Sequence, residues 1–285
     1  MSIIQAIILG LTQGLTEFLP ISSSGHLILV PWLLNWHWYF LPGNADLNKT
    51  FDVALHLGTL VAVLAYFRRD IVRLLAAWGR SLARRRIGDD GDARLAWLLL
   101  IATVPAGVIG VKYESFIEDR LGKPWIIVVA MVVFAGVMWF IDRRVYEPRP
   151  MTSIKPQGAL AIGFAQALAL CPGVSRSGVT MMSGMLLRLD RESAARFSFL
   201  LTVPVIGGAA FYKALKLLHT GLPAGTVTPF IVGTITAALS GFVAVAFLIN
   251  YLKRHNFTPF IVYRLAVSVA VLALIVFGVR SATGI

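Results

Sequence analysis

Six apolar runs, residues 51–67, 95–111, 125–141, 197–217, 230–249 and 259–279, approach or exceed the roughly 20 residues that carry a helix across a bilayer. Backbone amides and carbonyls inside lipid must be satisfied within the chain, and a helix does this segment by segment. The expected fold is an all-α polytopic membrane protein. Composition agrees: 57% of the 285 residues are hydrophobic and 14% are charged, against about a quarter charged in soluble domains. The formal charge of +12 would suggest nucleic acid in a soluble protein. Here it reads as loop charge that sets membrane orientation, and no nucleic-acid partner is expected.

Two further apolar regions, 3–36 and 158–187, are interrupted midway by Pro, Gly and Ser. Each reads as a pair of half-length helices facing one another, a re-entrant hairpin. Residues 1–11 lack the basic start and cleavage site of a signal peptide and are taken as part of the fold. The stretches 68–94, 143–155, 188–196 and 253–254 hold 17 of the 26 Lys and Arg, which predicts a cytoplasmic position for all four. The connections 37–50, 112–124 and 213–227 hold six. This alternation requires both interrupted regions to return to the side they entered, the first opening outside, the second opening to the cytoplasm, and both termini lying outside.

Displaced by 153 positions, the chain matches itself at Gly10 and Gly163, Gln13 and Gln166, Leu15 and Leu168, Ser22 and Ser175, Ser24 and Ser177, and Gly25 and Gly178. A hairpin followed by three crossings inverts whatever comes next. A single membrane domain over 1–285 is therefore expected to be an inverted repeat, its halves near 1–142 and 158–285. In such folds broken helices meet near the midplane, and their free amides form polar sites.

A charge at membrane depth is costly unless it faces protein, water or a ligand, so the deep polar residues are the functional candidates. Gln13 and Glu17 share one face of the first half-helix, which Pro20 ends. Glu17 reads as a site residue or an ion-pair partner. The run Ser22-Ser23-Ser24-Gly25-His26 is a helix N-cap signal whose amides attract phosphate, or a set of small residues for close packing. His26, three residues from Ser23, is a candidate base, acid or nucleophile. His56 reads as an ordinary hydrogen-bonded histidine. In the second interruption Arg176 offers a planar fork suited to phosphate oxygens, or pairs with Glu17 until a phosphate displaces it. Arg264 reads mainly as structural, a partner for Asp52 or a helix carbonyl. The lone Cys171 is taken as packing. Phosphate-loop and zinc-ligand motifs are absent.

The segments Gln13-Gly14-Leu15-Thr16-Glu17-Phe18-Leu19-Pro20-Ile21-Ser22-Ser23-Ser24-Gly25-His26 and Pro172-Gly173-Val174-Ser175-Arg176-Ser177-Gly178-Val179-Thr180 resemble the two signatures of the bacterial undecaprenyl-diphosphate phosphatases, the bacitracin-resistance family. The resemblance covers essentially the whole chain. It implies hydrolysis of undecaprenyl diphosphate to undecaprenyl phosphate and inorganic phosphate, which recycles the lipid carrier of peptidoglycan synthesis. It also implies a bacterial inner-membrane location, a site open to the outer face, and competition from bacitracin, which sequesters the substrate. Glu17, Ser23, His26 and Arg176 are implied as catalytic. Gln13, Ser22, Ser24, Gly25, Gly173, Ser175, Ser177 and Thr180 are implied as phosphate contacts.

A divalent cation, Mg or Ca, bridging Glu17 and the diphosphate belongs to the same expectation, as does a homo-oligomer; an organic cofactor does not. The family's first motif opens with Glu or Gln. This chain has Gln13, so Glu17 alone carries the acid, base or metal role. One mechanism has Ser23 attack phosphorus while Arg176 and helix amides neutralise the growing charge and His26, with or without Glu17, moves protons. The rival has His26 as nucleophile or activator of water. A lipid-carrier flippase or anion transporter is the alternative of another class, because broken-helix repeats also build transporters. A membrane scaffold with structural breaks is the third.

Overall fold

The computed structural model describes residues 1–144, 147–220 and 225–283. Its α-helices in chain order are α1 (Ile3–Phe18), α2 (Ser23–Leu33), α3 (Ala45–Tyr66), α4 (Arg68–Ala83), α5 (Gly91–Leu121), α6 (Pro124–Asp142), α7 (Pro156–Ala167), α8 (Arg176–Leu186), α9 (Arg191–Thr220), α10 (Val227–Leu252) and α11 (Thr258–Val276). Six of them, α3, α5, α6, α9, α10 and α11, are long and apolar enough to cross a membrane, and they fall on the six expected runs. The basic stretch after α3, a loop by its charge, instead forms α4 over its first 16 residues. Leu74, Ala77 and Ser81 are buried, and Ser81 Oγ accepts from Trp97 Nε1 of α5 at 3.0 Å. Val72 and Leu75 stay exposed. An amphipathic period hidden among arginines thus makes a helix rather than a loop. The expected 213–227 connection lies partly outside the described residues.

The remaining helices, α1, α2, α7 and α8, are 16, 11, 12 and 11 residues long. At 1.5 Å per residue none reaches the roughly 30 Å of a hydrocarbon core. Pro20 ends α1 by holding Leu19 extended (φ −68°, ψ 140°). The next helix begins from a residue of positive φ, Ser22 at 76°, whose side chain accepts from Gly25 N. The second hairpin repeats this at Ser175, φ 81°, accepting from Gly178 N. The helix starts Ile3 and Pro156 are 153 positions apart, as are both ends of α2 and α8. The positive-φ residues Asn35 and Arg188, just past α2 and α8, keep the same interval.

Each pair of half-helices returns to the end from which it starts. Met1 and Trp36 pack on one cluster with Ala6, Leu9 and Leu27. In the other pair, a Cβ on Gly158 of α7 would lie 2.9 Å from Leu187, and Arg149 N donates to Arg188 O at 2.8 Å. The tips meet in the interior, where Ser177 Oγ donates to Leu19 O at 3.2 Å.

The basic segments gather at one end of the molecule. Arg196 of α9 pairs with Asp70 of α4 at 3.0 Å, and Arg191 pairs with Asp142 at 2.6 Å. Asp142 also accepts from Phe257 N at 2.9 Å, and Arg94 donates to Ile154 O at 3.3 Å. The opposite end is closed by Trp32 Nε1 donating to Ser281 O at 2.9 Å and by Arg280 donating to Asn35 Oδ1 at 2.8 Å. One basic end is what loop charge demands of a chain threaded through a membrane.

α1 lies against α10 at backbone distance. A Cβ on Gly14 would fall 1.9 Å from Ser240 Oγ and 2.6 Å from Ala237 O. Small residues allow such helices to pack tightly in lipid, and here the contact sets the height and rotation of the turn that carries Glu17.

Candidate active site

The last turn of α1 presents Glu17, and four side chains from four helices converge on its carboxylate. Gln13 Nε2, one turn earlier, donates to Oε2 at 2.8 Å. Ser23 Oγ, at the start of α2, donates to the same oxygen at 2.6 Å. Arg176, at the start of α8, donates through Nη2 to Oε1. From α3, His56 Nε2 stands 3.5 Å from Oε2. The Glu17 side chain is only 3% exposed, against 19% for Arg176 and 30% for His56. Ser23 and Ser24 are also partly exposed. The carboxylate is the floor of the site and these residues are its mouth. A buried carboxylate is tolerated only with such partners, because its desolvation costs several kcal/mol.

Other polar groups hold the two tips together. Ser22 Oγ accepts from Gly25 N at 3.3 Å and from Gly173 N, across the hairpins, at 2.9 Å. Gly173 has φ +103°, and a Cβ there would sit 2.6 Å from Ile127 O, so both conformation and space require glycine. Arg264 of α11 is fully buried. It donates through Nε to Met131 O at 3.1 Å, through Nη1 to Pro20 O at 3.2 Å and Val174 O at 3.4 Å, and through Nη2 to Gly173 O. Helix breaks expose carbonyls that lipid cannot satisfy, and one guanidinium serves both breaks. Of its two expected kinds of partner, Arg264 bonds carbonyls.

The structure thus joins Gln13, Glu17, Ser23 and Arg176. It places His26 differently from the simplest serine–histidine pairing. His26 Nδ1 is 2.7 Å from Ser22 O, which can only accept, so Nδ1 carries the hydrogen and Nε2 meets the Tyr263 hydroxyl at 2.9 Å. Several expected phosphate contacts have structural partners. Ser175 Oγ accepts from Gly178 N at 3.2 Å and lies 3.2 Å from Ser177 Oγ. Ser24 Oγ is 3.5 Å from Ser22 Oγ. Gly25 faces Ile127 and Gly173 N. Thr180 is 1% exposed, and its hydroxyl is engaged by Arg176 O at 2.8 Å and Ser198 Oγ of α9 at 2.6 Å. It belongs to the α8–α9 contact.

Two residues of the site escaped sequence reasoning. The reading of His56 as an ordinary hydrogen-bonded histidine holds for Nδ1, 2.7 Å from Asp52 O, while Nε2 faces Glu17. Its signal was an ionisable residue inside a span. Tyr263 carried no signal beyond its place beside Arg264.

The family described as bacitracin resistance protein BacA matches residues 6–270, a range that contains both hairpins except the first three residues of α1, and every residue named at the site. The chain belongs to the BacA family. Proteins named undecaprenyl-diphosphatase from Thermomicrobium roseum and Pelobacter propionicus are 43% and 41% identical to it, each over 98% of this chain and over 100% and 99% of their own lengths. One named undecaprenyl-diphosphatase 2, from Stutzerimonas stutzeri, is 44% identical over 96% of this chain and 98% of its own. These relatives are matched over nearly their whole lengths and nearly all of this chain.

Proposed function

We propose that this chain hydrolyses undecaprenyl diphosphate to undecaprenyl phosphate and inorganic phosphate, returning the lipid carrier to cell-wall synthesis. The observation that carries the reading is one buried carboxylate, Glu17, bound at once by a partly exposed hydroxyl, Ser23, and a partly exposed guanidinium, Arg176. Those are the base, nucleophile and phosphate-gripping cation of a phosphoryl transfer. A lipid-carrier flippase or anion transporter needs phosphate binding but no hydroxyl poised on a carboxylate, and takes second place.

The diphosphate draws Arg176 away from Glu17, and the carboxylate, losing its cation, becomes a stronger base. Glu17 takes the Ser23 proton as Oγ attacks the terminal phosphorus, and the bond from phosphorus to the bridging oxygen breaks. Arg176 and the amides at the starts of α2 and α8 neutralise charge on the transferring group. Glu17 loses the Ser23 proton to solvent at the mouth; water then opens the phosphoserine, its oxygen bonding phosphorus as the bond from phosphorus to Oγ breaks and one of its protons passing through Glu17 back to Ser23 Oγ. His26, with Nε2 on the Tyr263 phenol, is assigned to the leaving phosphate.

A Mg or Ca ion fits this site only with help from the substrate. Glu17 and Gln13 Oε1, a buried acceptor lacking a hydrogen-bond partner, are the protein oxygens at hand. No cluster of three ligating side chains occurs among the described residues. Diphosphate oxygens and water would complete the shell, and the ion would supply charge neutralisation.

The proposed setting is the bacterial inner membrane with the basic end cytoplasmic, the first hairpin entering from outside and the two halves forming an inverted repeat. The single basic end and the hairpin geometry repeating at 153 positions support this. The outer mouth would compete with bacitracin for its lipid.

The test is phosphate release from undecaprenyl diphosphate by purified protein in detergent, with Ser23→Ala, His26→Ala and Arg176→Ala beside the unaltered chain. All three are expected to be slowed, Ser23→Ala and Arg176→Ala most. Full activity of Arg176→Ala would remove the basis of the reading.

A further inference from the structure

We infer that α4 is a membrane-surface helix, docked by one apolar face and one arginine face on the anionic phospholipid headgroups of the leaflet at the basic end. The inference stands apart from the proposed hydrolysis, since α4 contributes no residue to the site.

At 3.6 residues per turn the residues of α4 divide among three faces. Leu74, Ala77 and Ser81 are buried, with Ile71 and Trp78 partly buried on the same side. Val72, Leu75, Gly79 and Leu82 make a second face and are all exposed, Val72 at 66% and Leu75 at 60%. Arg69, Arg73, Arg80 and Arg84 make a third, also exposed. A surface helix of a water-soluble protein has one apolar stripe, turned to its core. α4 has two, and the bundle covers one of them. The other borders the arginine row, which is the arrangement of a helix lying in a membrane interface.

The contacts of α4 place it at that level. Near its start Asp70 pairs with Arg196, the sixth residue of the membrane-crossing α9. Near its end Ser81 accepts from Trp97, the seventh residue of the membrane-crossing α5. Along the membrane normal, a helix would carry these two residues to depths about 16 Å apart. Both α5 and α9 start at the basic end, and their partner residues stand at nearly equal counts from those starts. α4 therefore runs along the membrane surface. The rings of Trp78 and Trp97, 6.0 Å apart, are of the type that settles at headgroup level.

The preference for anions follows from which arginines the protein neutralises itself. Asp70 takes Arg73 and Arg196, Asp92 takes Arg73, and Asp90 takes Arg80. Arg69 and the run Arg84-Arg85-Arg86 are exposed and form no ion pair among the described residues. Exposed Asp89 offsets one charge of that run, and exposed Ile87 follows it. Guanidinium forks bind phosphate oxygens, while their stems lie along acyl chains and let the heads reach the headgroup layer. Each basic residue held near an anionic leaflet strengthens the docking. A second copy of this chain pairing through α4 would instead bring two arginine rows together.

Two measurements on the full-length protein test this. With p-benzoylphenylalanine in place of Leu75, illumination of native membranes should join the chain to phospholipid. Adducts with a second chain or another protein, or no adduct, overturn the docking. In nanodiscs of phosphatidylcholine, replacing part of the lipid by phosphatidylglycerol should raise the unfolding temperature of the unaltered protein by about 3 °C or more. High salt should shrink that rise. The combined variant Arg69→Gln, Arg84→Gln, Arg85→Gln and Arg86→Gln should keep under about half of it, and the four corresponding lysine substitutions should keep most. No rise in the unaltered protein overturns the anion preference. An equal rise in the glutamine variant, or its loss in the lysine variant, overturns the assignment to these four residues.

Discussion

Ser23 Oγ donates to Glu17 Oε2 at 2.6 Å across the break that Pro20 makes between α1 and α2. Six residues apart in sequence, the two would point apart on a continuous helix. The break folds them together and makes a hydroxyl–carboxylate pair from an interruption. If they act as one unit, Glu17→Gln and Ser23→Ala should each lower kcat by about 10²–10⁴-fold. The double variant should be little worse than the poorer single. Independent, multiplying losses in steady-state phosphate release would separate their roles.

Arg176 is expected to act by its fork as well as its charge. Arg176→Lys keeps the cation but gives up bidentate geometry. A loss of about 10²–10³-fold is expected for Arg176→Ala, with Arg176→Lys between it and the unaltered protein. Arg176→Ala also strands the Glu17 carboxylate, so its thermal unfolding in detergent should move to lower temperature. Equal activity of the lysine variant and the unaltered chain would show that a point charge suffices.

Arg264 touches no group at the mouth, so its loss should appear first as instability. Arg264→Met fills similar volume but strands the carbonyls of Pro20, Gly173 and Val174. Each unsatisfied carbonyl costs about 1–3 kcal/mol. The expected outcome is a clear drop in unfolding temperature together with reduced phosphate release, both partly recovered by Arg264→Lys. A stable and fully active methionine variant would mean that the breaks hold their shape unaided.

The α1–α10 contact supplies a sterically defined case. In Gly14→Ala the new Cβ meets Ser240 Oγ at 1.9 Å, and backbone of Ala237 and Gly241 at 2.6 and 2.7 Å. Backbone cannot rotate away, so α1 must shift and carry Glu17 with it. Reduced kcat and stability are expected, while Gly207→Ala on α9, with open space around it, should behave as the unaltered chain. Parallel melting curves and phosphate-release rates decide the matter.

Labelling of single cysteines placed in 68–94 by a membrane-impermeant reagent, in intact cells, checks the proposed orientation. Protection until the cells are opened is expected, and labelling from outside would turn the molecule over.

Much of this molecule is legible along the chain, because lipid leaves the backbone so little choice. Runs of apolar residues announced six spans, and Pro20 and the Ser–Gly segments announced both breaks. An intramembrane charge is costly enough that Glu17, Arg176 and Arg264 stood out at once. α4 was hidden because its arginines outweighed its apolar period.

The site is a different matter, since convergence on one carboxylate is a property of packing between distant helices. No spacing tells that His56 of α3 faces Glu17 of α1, that His26 turns to Tyr263 of α11, or that Thr180 turns to Ser198 of α9. The sequence by itself determined the spans, the breaks, the basic end and the residue types able to handle phosphate, because each follows from local composition set against a bilayer. Only the tertiary structure decided which of those residues meet, because contacts between helices depend on the rotation and height that close packing, as at Gly14 against α10, imposes on each one.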